Sequence, residues 1–152
     1  PIHSEKELEE WQRKFLINRP LIGVCLESVR LVPNVAIRDV PLAYFCGIAR
    51  PERFKEWIEN QGAIIVKEWI LADHEAPDLD SLKEFALHAQ ELGAKILLCT
   101  EKDFVKISSF EGIALPIIYP EMELKITAGR ENWQNIVDKI GEKIDNYRTY
   151  GK

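Results

Sequence analysis

Very little in these 152 residues announces a familiar chemistry by motif. The eight glycines stand singly, so no GxGxxG and no GxxxxGKS/T phosphate loop occurs, and the one Gly-Lys pair is Gly151-Lys152. GxSxG is absent as well, and no Cys–His arrangement has the spacing of a nucleophilic site. The three cysteines, Cys25, Cys46 and Cys99, are odd in number, widely spaced and set in apolar β-like runs. That suits buried free thiols in a reducing compartment, not a disulfide framework or a zinc site. His3, His74 and His88 share no ligand spacing, and no metal site is expected. Basic residues are scarce too: 20 Lys and Arg against 25 Asp and Glu give a net charge of −5. A protein that grips a phosphate backbone needs a basic surface, so a nucleic-acid partner is not expected. The longest apolar stretch, residues 42–49, falls far short of the ~20 residues that span a bilayer. Glu5, Glu7, Glu9 and Glu10 stand where a secretory signal would be basic and then apolar.

What is present is an ordinary globular composition, 46% hydrophobic and 30% charged, of about one domain's length. A soluble single domain is expected. The chain opens at Pro1 with no Met, so a cut point in a longer protein is expected. Residues 4–16 read as a helix, with Ser4 and Glu7 as a capping box and Leu8, Trp11 and Phe15 on one face. Residues 21–27 are a strand candidate, followed by a turn-rich connector to Pro41. From Leu42 the pattern is regular. Residues 42–46 form a buried-type strand; Pro51 opens a helix with Phe54, Trp57, Ile58 and Gln61 on its inner face, and Gly62 stops it. Residues 63–71 are a second strand. Asp78 caps a helix carrying Leu82, Phe85, Ala86 and Ala89, closed by Gly93. Residues 95–99 are a third strand, 115–119 and 124–127 two further ones. Trp133, Ile136, Val137, Ile140 and Ile144 mark a last amphipathic helix. All four tryptophans are assigned to packing, and His88 to solvent.

Alternating strands and helices with short connections predict an α/β, Rossmann-like three-layer domain with a mainly parallel sheet. The expected division is 1–41, a helix and connector, and 42–152, the α/β domain. Ligands of such sheets sit beyond the carboxyl ends of the strands. Each central strand is followed at once by an unusual polar segment: Gly47 to Phe54, Ala72-Asp73-His74, and Thr100-Glu101-Lys102-Asp103. If the strands are parallel, the three share one rim. Asp73-His74 sets a carboxylate beside an imidazole that titrates near neutral pH, suited to proton transfer; the bland reading is a turn with an exposed histidine. Thr100 to Asp103 reads first as a helix start, Thr100 capping and Asp103 answering it; the bolder reading has Lys102 and the free amides meet a phosphate. Arg50 and Arg53 could bind an anion or pair with Glu52 and Glu56 on a solvated face.

These segments, with Phe45-Cys46-Gly47-Ile48-Ala49-Arg50-Pro51 and the TEKD element at residues 100–103, resemble the C-terminal half of tetraacyldisaccharide 4'-kinase. The resemblance covers about residues 20–127. It implies transfer of the ATP γ-phosphate to the 4'-hydroxyl of a tetraacylated glucosamine disaccharide 1-phosphate, the lipid A disaccharide precursor. It further implies that ATP and Mg²⁺ are held mainly by an N-terminal P-loop domain outside this sequence, which would be the chain's own partner. It places the whole enzyme peripherally on the cytoplasmic face of the bacterial inner membrane, with membrane contact only through residues outside this chain. By the same resemblance His74 supports the base toward the sugar hydroxyl and Asp73 orients it. Thr100, Glu101, Lys102, Asp103 and Arg50 become substrate-binding or interface residues. Glu75 stands where many members carry a second histidine. The fragment alone is expected to be inactive. The alternative is a stand-alone Rossmann-like module that binds a small anionic ligand without catalysis.

Overall fold

The structure, a computed structural model, describes residues 2–72 and 75–150. In chain order the elements are α1 (Glu5–Lys14), β1 (Gly23–Val32), β2 (Pro41–Cys46), α2 (Pro51–Asn60) and β3 (Ile64–Ile70). They continue with α3 (Leu79–Glu91), β4 (Ile96–Cys99), α4 (Glu101–Phe104), β5 (Ile117–Ala128) and α5 (Arg130–Tyr150). The chain divides into two compact units, Ser28–Met122 and a second made of Pro1–Glu27 with Glu123–Lys152. It passes between them twice, inside β1 and inside β5. This division cuts elsewhere than at residue 41, since everything from Glu123 groups with the first 27 residues.

The unit Ser28–Met122 has the expected mixed α/β fold. The sheet runs in the order β1-β5-β4-β2-β3, and β2 pairs in parallel with both β3 and β4, as β4 does with β5. Central strand β2 is buried from Leu42 to Cys46, as a strand covered on both faces must be. Its side chains alternate between two cores. Leu42, Tyr44 and Cys46 join Phe54 and Ile58 of α2, while Ala43 and Phe45 join Leu82, Phe85, Ala86 and Ala89 of α3. Helices therefore cover both faces, giving the three layers. Ile58 and Leu82 are fully buried, each worth about 1.5–3 kcal/mol relative to exposure.

Local chemistry fixes the helix ends. Pro51 opens α2, and Gly62 takes the left-handed φ of 78° that ends it. Asp78 caps α3, accepting from Ser81 N–H at 3.0 Å, and Gly93 closes it at φ 92°. Residues 117–128 form one strand, β5, rather than the two expected, with Pro120 inside it.

In the second unit Ser4 caps α1, accepting from Glu7 N–H. Glu7 does not return to Ser4: its carboxylate accepts from His3 N–H at 2.7 Å, so half of the expected box forms. Of α1 only Leu8 is buried. Helix α5 forms where expected, but its apolar side is open. Trp133, Val137, Ile140, Ile144 and Tyr147 are all exposed, Ile140 at 53%. Trp11 and Trp133 are likewise about half exposed, contrary to the packing role expected of them, whereas Trp57 and Trp69 do pack against the two cores. Cys46 and Cys99 are buried free thiols as expected, and Cys25 is free but only half-buried.

Candidate active-site rim

Because β3, β2 and β4 are parallel neighbours, their carboxyl ends lie side by side, and the segments that follow them meet. The meeting point is Asp103, the one fully buried charged side chain among the described residues. Thr100 caps the short helix α4, its hydroxyl oxygen accepting from Asp103 N–H at 3.2 Å. That is the expected cap. The Asp103 carboxylate, however, turns inward. Its Oδ2 accepts from Gly47 N–H at 2.9 Å and from the Thr100 hydroxyl at 2.6 Å. Its Oδ1 accepts from Lys106 Nζ at 3.0 Å. Both oxygens of a buried carboxylate thus have donors and a counter-ion, the condition under which such a charge is tolerated.

Lys106 extends the network to the third segment. Its Nζ also donates to the Glu75 carbonyl at 3.0 Å. Ala72 and Glu75 are bonded to one another twice: Glu75 N–H donates to the Ala72 carbonyl at 3.0 Å, and Ala72 N–H to the Glu75 carboxylate at 2.9 Å. Asp73 and His74 stand between them in sequence and lie outside the described residues.

At Gly47 the backbone of the first segment meets backbone of the second and the Asp103 side chain of the third. A Cβ there would stand 3.2 Å from the carbonyl oxygens of Ala72 and Glu75 and 3.3 Å from Asp103 Oδ1. The Asp103 charge is felt below it in the sheet. Burial first, and the carboxylate second, push the Cys46 thiol up to about 11 and the Cys99 thiol well above its ordinary value.

The other expected residues take more peripheral places. Glu101 is exposed, and its carboxylate accepts from Met122 N–H at 3.4 Å. Lys102 is exposed on α4. Arg50 holds the N-cap position of α2 with an exposed side chain that makes no capping bond. Lys106 was not among the expected residues. Its signal was local, a lysine three positions after Asp103, but that spacing reads as an ordinary helical pair.

Residues 4–141 match the family model described as tetraacyldisaccharide-1-P 4'-kinase. The tetraacyldisaccharide 4'-kinase of Chlamydia pneumoniae is 33% identical over 117 residues, covering 77% of this chain and 32% of that protein. That of Chlamydia abortus is 28% identical over 150 residues, covering 95% and 41%. The chain thus spans about a third of the length of the curated relatives it matches. Among solved structures, LpxK from Aquifex aeolicus in complex with ATP superposes with a TM-score of 0.53 at 17% identity, over 89% of this chain and 44% of that one. The fold is shared at that distance, and the family match spans well over half of the sequence: the chain belongs to the tetraacyldisaccharide 4'-kinase family.

Proposed function

We propose that this chain is the acceptor-side part of a lipid A 4'-kinase, phosphorylating the 4'-hydroxyl of a tetraacyldisaccharide 1-phosphate, and that it is inactive alone. The observation that carries the reading is the joining of three strand-end segments at Asp103 and Lys106, on the rim where ligands of parallel sheets bind. In the transfer, the 4'-oxygen forms a bond to the γ-phosphorus while the bond to the β,γ-bridging oxygen breaks, and ADP leaves with that electron pair. The hydroxyl proton passes to a base. His74, oriented by Asp73, supports that base in this reading, and Arg50, Thr100, Glu101 and Lys102 line the approach of the anionic headgroup. Most of the catalysis comes from positioning and charge neutralisation.

ATP and Mg²⁺ would be held by an N-terminal P-loop domain of the full-length protein. The sequence contains no Walker A motif, and among the described residues no three His, Cys, Asp or Glu side chains gather to hold a metal. The open apolar side of α5 supports a covering partner, and that domain is the one proposed. No helix among the described residues is long and apolar enough to cross a membrane. The peripheral inner-membrane location is proposed with the rest of the function. His74→Ala in the full-length enzyme tests the assignment: kcat should fall about 10²–10⁴-fold, the usual worth of acid–base help. A variant that retains wild-type kcat removes His74 from the chemistry.

A further inference from the structure

We propose that Asp103 and Lys106 are positioning residues, a buried latch that sets the spacing of the segments after β2, β3 and β4 and so acts on the reaction through His74. The inference rests on the kinase reading above. The Thr100 hydroxyl caps α4 and donates to Asp103 Oδ2, and that exchange leaves the other two bonds of the carboxylate unexplained. One of them links backbone 56 positions away in sequence, at Gly47. Lys106 then joins the same carboxylate to the Glu75 carbonyl, one residue past His74 in the chain. The order of contacts, Asp103 between Gly47 and Lys106, ties together the ends of three adjacent strands. An apolar contact would hold these segments together more cheaply than a buried charge. Hydrogen bonds to a carboxylate and an ammonium add direction to distance, which a reaction sensitive to displacements of about 1 Å requires. With no exposed surface, Asp103 reaches no substrate; its role is on the segments.

The test uses the full-length enzyme with ATP–Mg²⁺ and tetraacyldisaccharide 1-phosphate, and compares Lys106→Met, Lys106→Arg, Asp103→Asn, His74→Ala and the double variant His74→Ala/Lys106→Met. Lys106→Met should lower kcat about 10–100-fold with KM for ATP within about twofold, and Lys106→Arg should restore most of the loss. In the His74→Ala background the Lys106 change should cost little more, because both act through one group. Wild-type kcat in Lys106→Met beside an impaired His74→Ala overturns the latch, as does a full additional loss in the double variant. A large loss in Asp103→Asn with none in Lys106→Met overturns it, because the link that Lys106 makes to the Glu75 segment would then carry nothing. Amide hydrogen exchange gives a readout free of catalysis. The Gly47 N–H should exchange at least about tenfold faster in Asp103→Asn and in Lys106→Met, and unchanged exchange in both overturns the latch even if one variant folds poorly. Wild-type kcat in His74→Ala would instead sink the kinase-site reading, leaving the latch to stand or fall on the exchange result.

Discussion

A thiol beside a buried carboxylate is a poor nucleophile, because ionising it would put a second negative charge in the same dry space. Cys46, pushed up to about 11, and Cys99, well above its ordinary value, sit in that position. Cys25 is raised as well, by desolvation and by donating to Glu27 at 3.6 Å, but it is only half-buried, and access sets it apart. Maleimide labelling of the native chain at neutral pH should therefore modify Cys25 alone, and all three cysteines after denaturation. Mass spectrometry decides it, and Cys46 labelling at the Cys25 rate would contradict the burial and charge described. A second residue-scale expectation concerns pH. The Tyr44 hydroxyl donates to Glu68 at 2.8 Å and Lys55 Nζ does so at 3.0 Å; these two, in that order, hold the Glu68 carboxyl below its ordinary 4.5. The native state thus binds that proton less readily than the unfolded chain. The stabilisation is present above pH 4.5 and lost as pH falls through the lower native value. Thermal midpoints of wild type and Glu68→Gln should differ at pH 7 and converge at strongly acid pH; a gap that persists there would mean that hydrogen bonding of the neutral side chain, not its charge, carries the effect.

At the scale of elements, the start of α5 is the most constrained point of its unit. Gly129 sits at φ 72°, donates to Glu5 Oε1 at 2.7 Å, and has no room for a Cβ, which would run into the Leu21 carbonyl oxygen. Gly129→Ala should cost about 2 kcal/mol in backbone strain, lowering the thermal midpoint by about 4–8 °C. Calorimetry tests this, and a midpoint within a degree of wild type would refute it. Elements with their own punctuation were legible in the sequence. Pro51 and Gly62 bound α2, and Asp78 and Gly93 bound α3, because caps and left-handed glycines act within one turn. The parallel order, and with it the shared rim, followed from the alternation of elements. The inward turn of Asp103 did not, since a Thr cap with a carboxylate three residues on reads the same whether that carboxylate faces water or Gly47. Strand β5 was read as two because Pro120 and the acidic residues beside it look like an interruption, yet the strand runs through them. The open side of α5 was hidden for a different reason: periodicity shows which face is apolar, not whether this chain supplies what covers it.

Across the whole molecule, that open side is the feature an isolated chain explains least. Trp133, Val137, Ile140, Ile144 and Tyr147 form an exposed apolar stripe along a helix of 21 residues, the kind of patch that marks an interaction surface. Arg130, Lys139, Lys143 and Arg148 are matched in number by Glu131, Asp138, Glu142 and Asp145, so the helix carries no net charge. The relatives are about three times as long as the matched region, which leaves ample chain for a covering domain. Under the proposed division of labour that domain is the P-loop half, and one substitution read in two contexts can tell. In the 152-residue chain, Ile140→Glu changes an exposed position and should shift stability by no more than about 0.5 kcal/mol. In the full-length enzyme the same change would place a carboxylate in a closed apolar contact, losing about 2 kcal/mol or more of burial and lowering the thermal midpoint. Sedimentation of the isolated chain separates the remaining case, since a stripe covered by a second copy would make it a dimer that Ile140→Glu splits. A neutral result in both lengths of protein would show that α5 is covered by neither, and would remove the support that its open side lends to a partner domain.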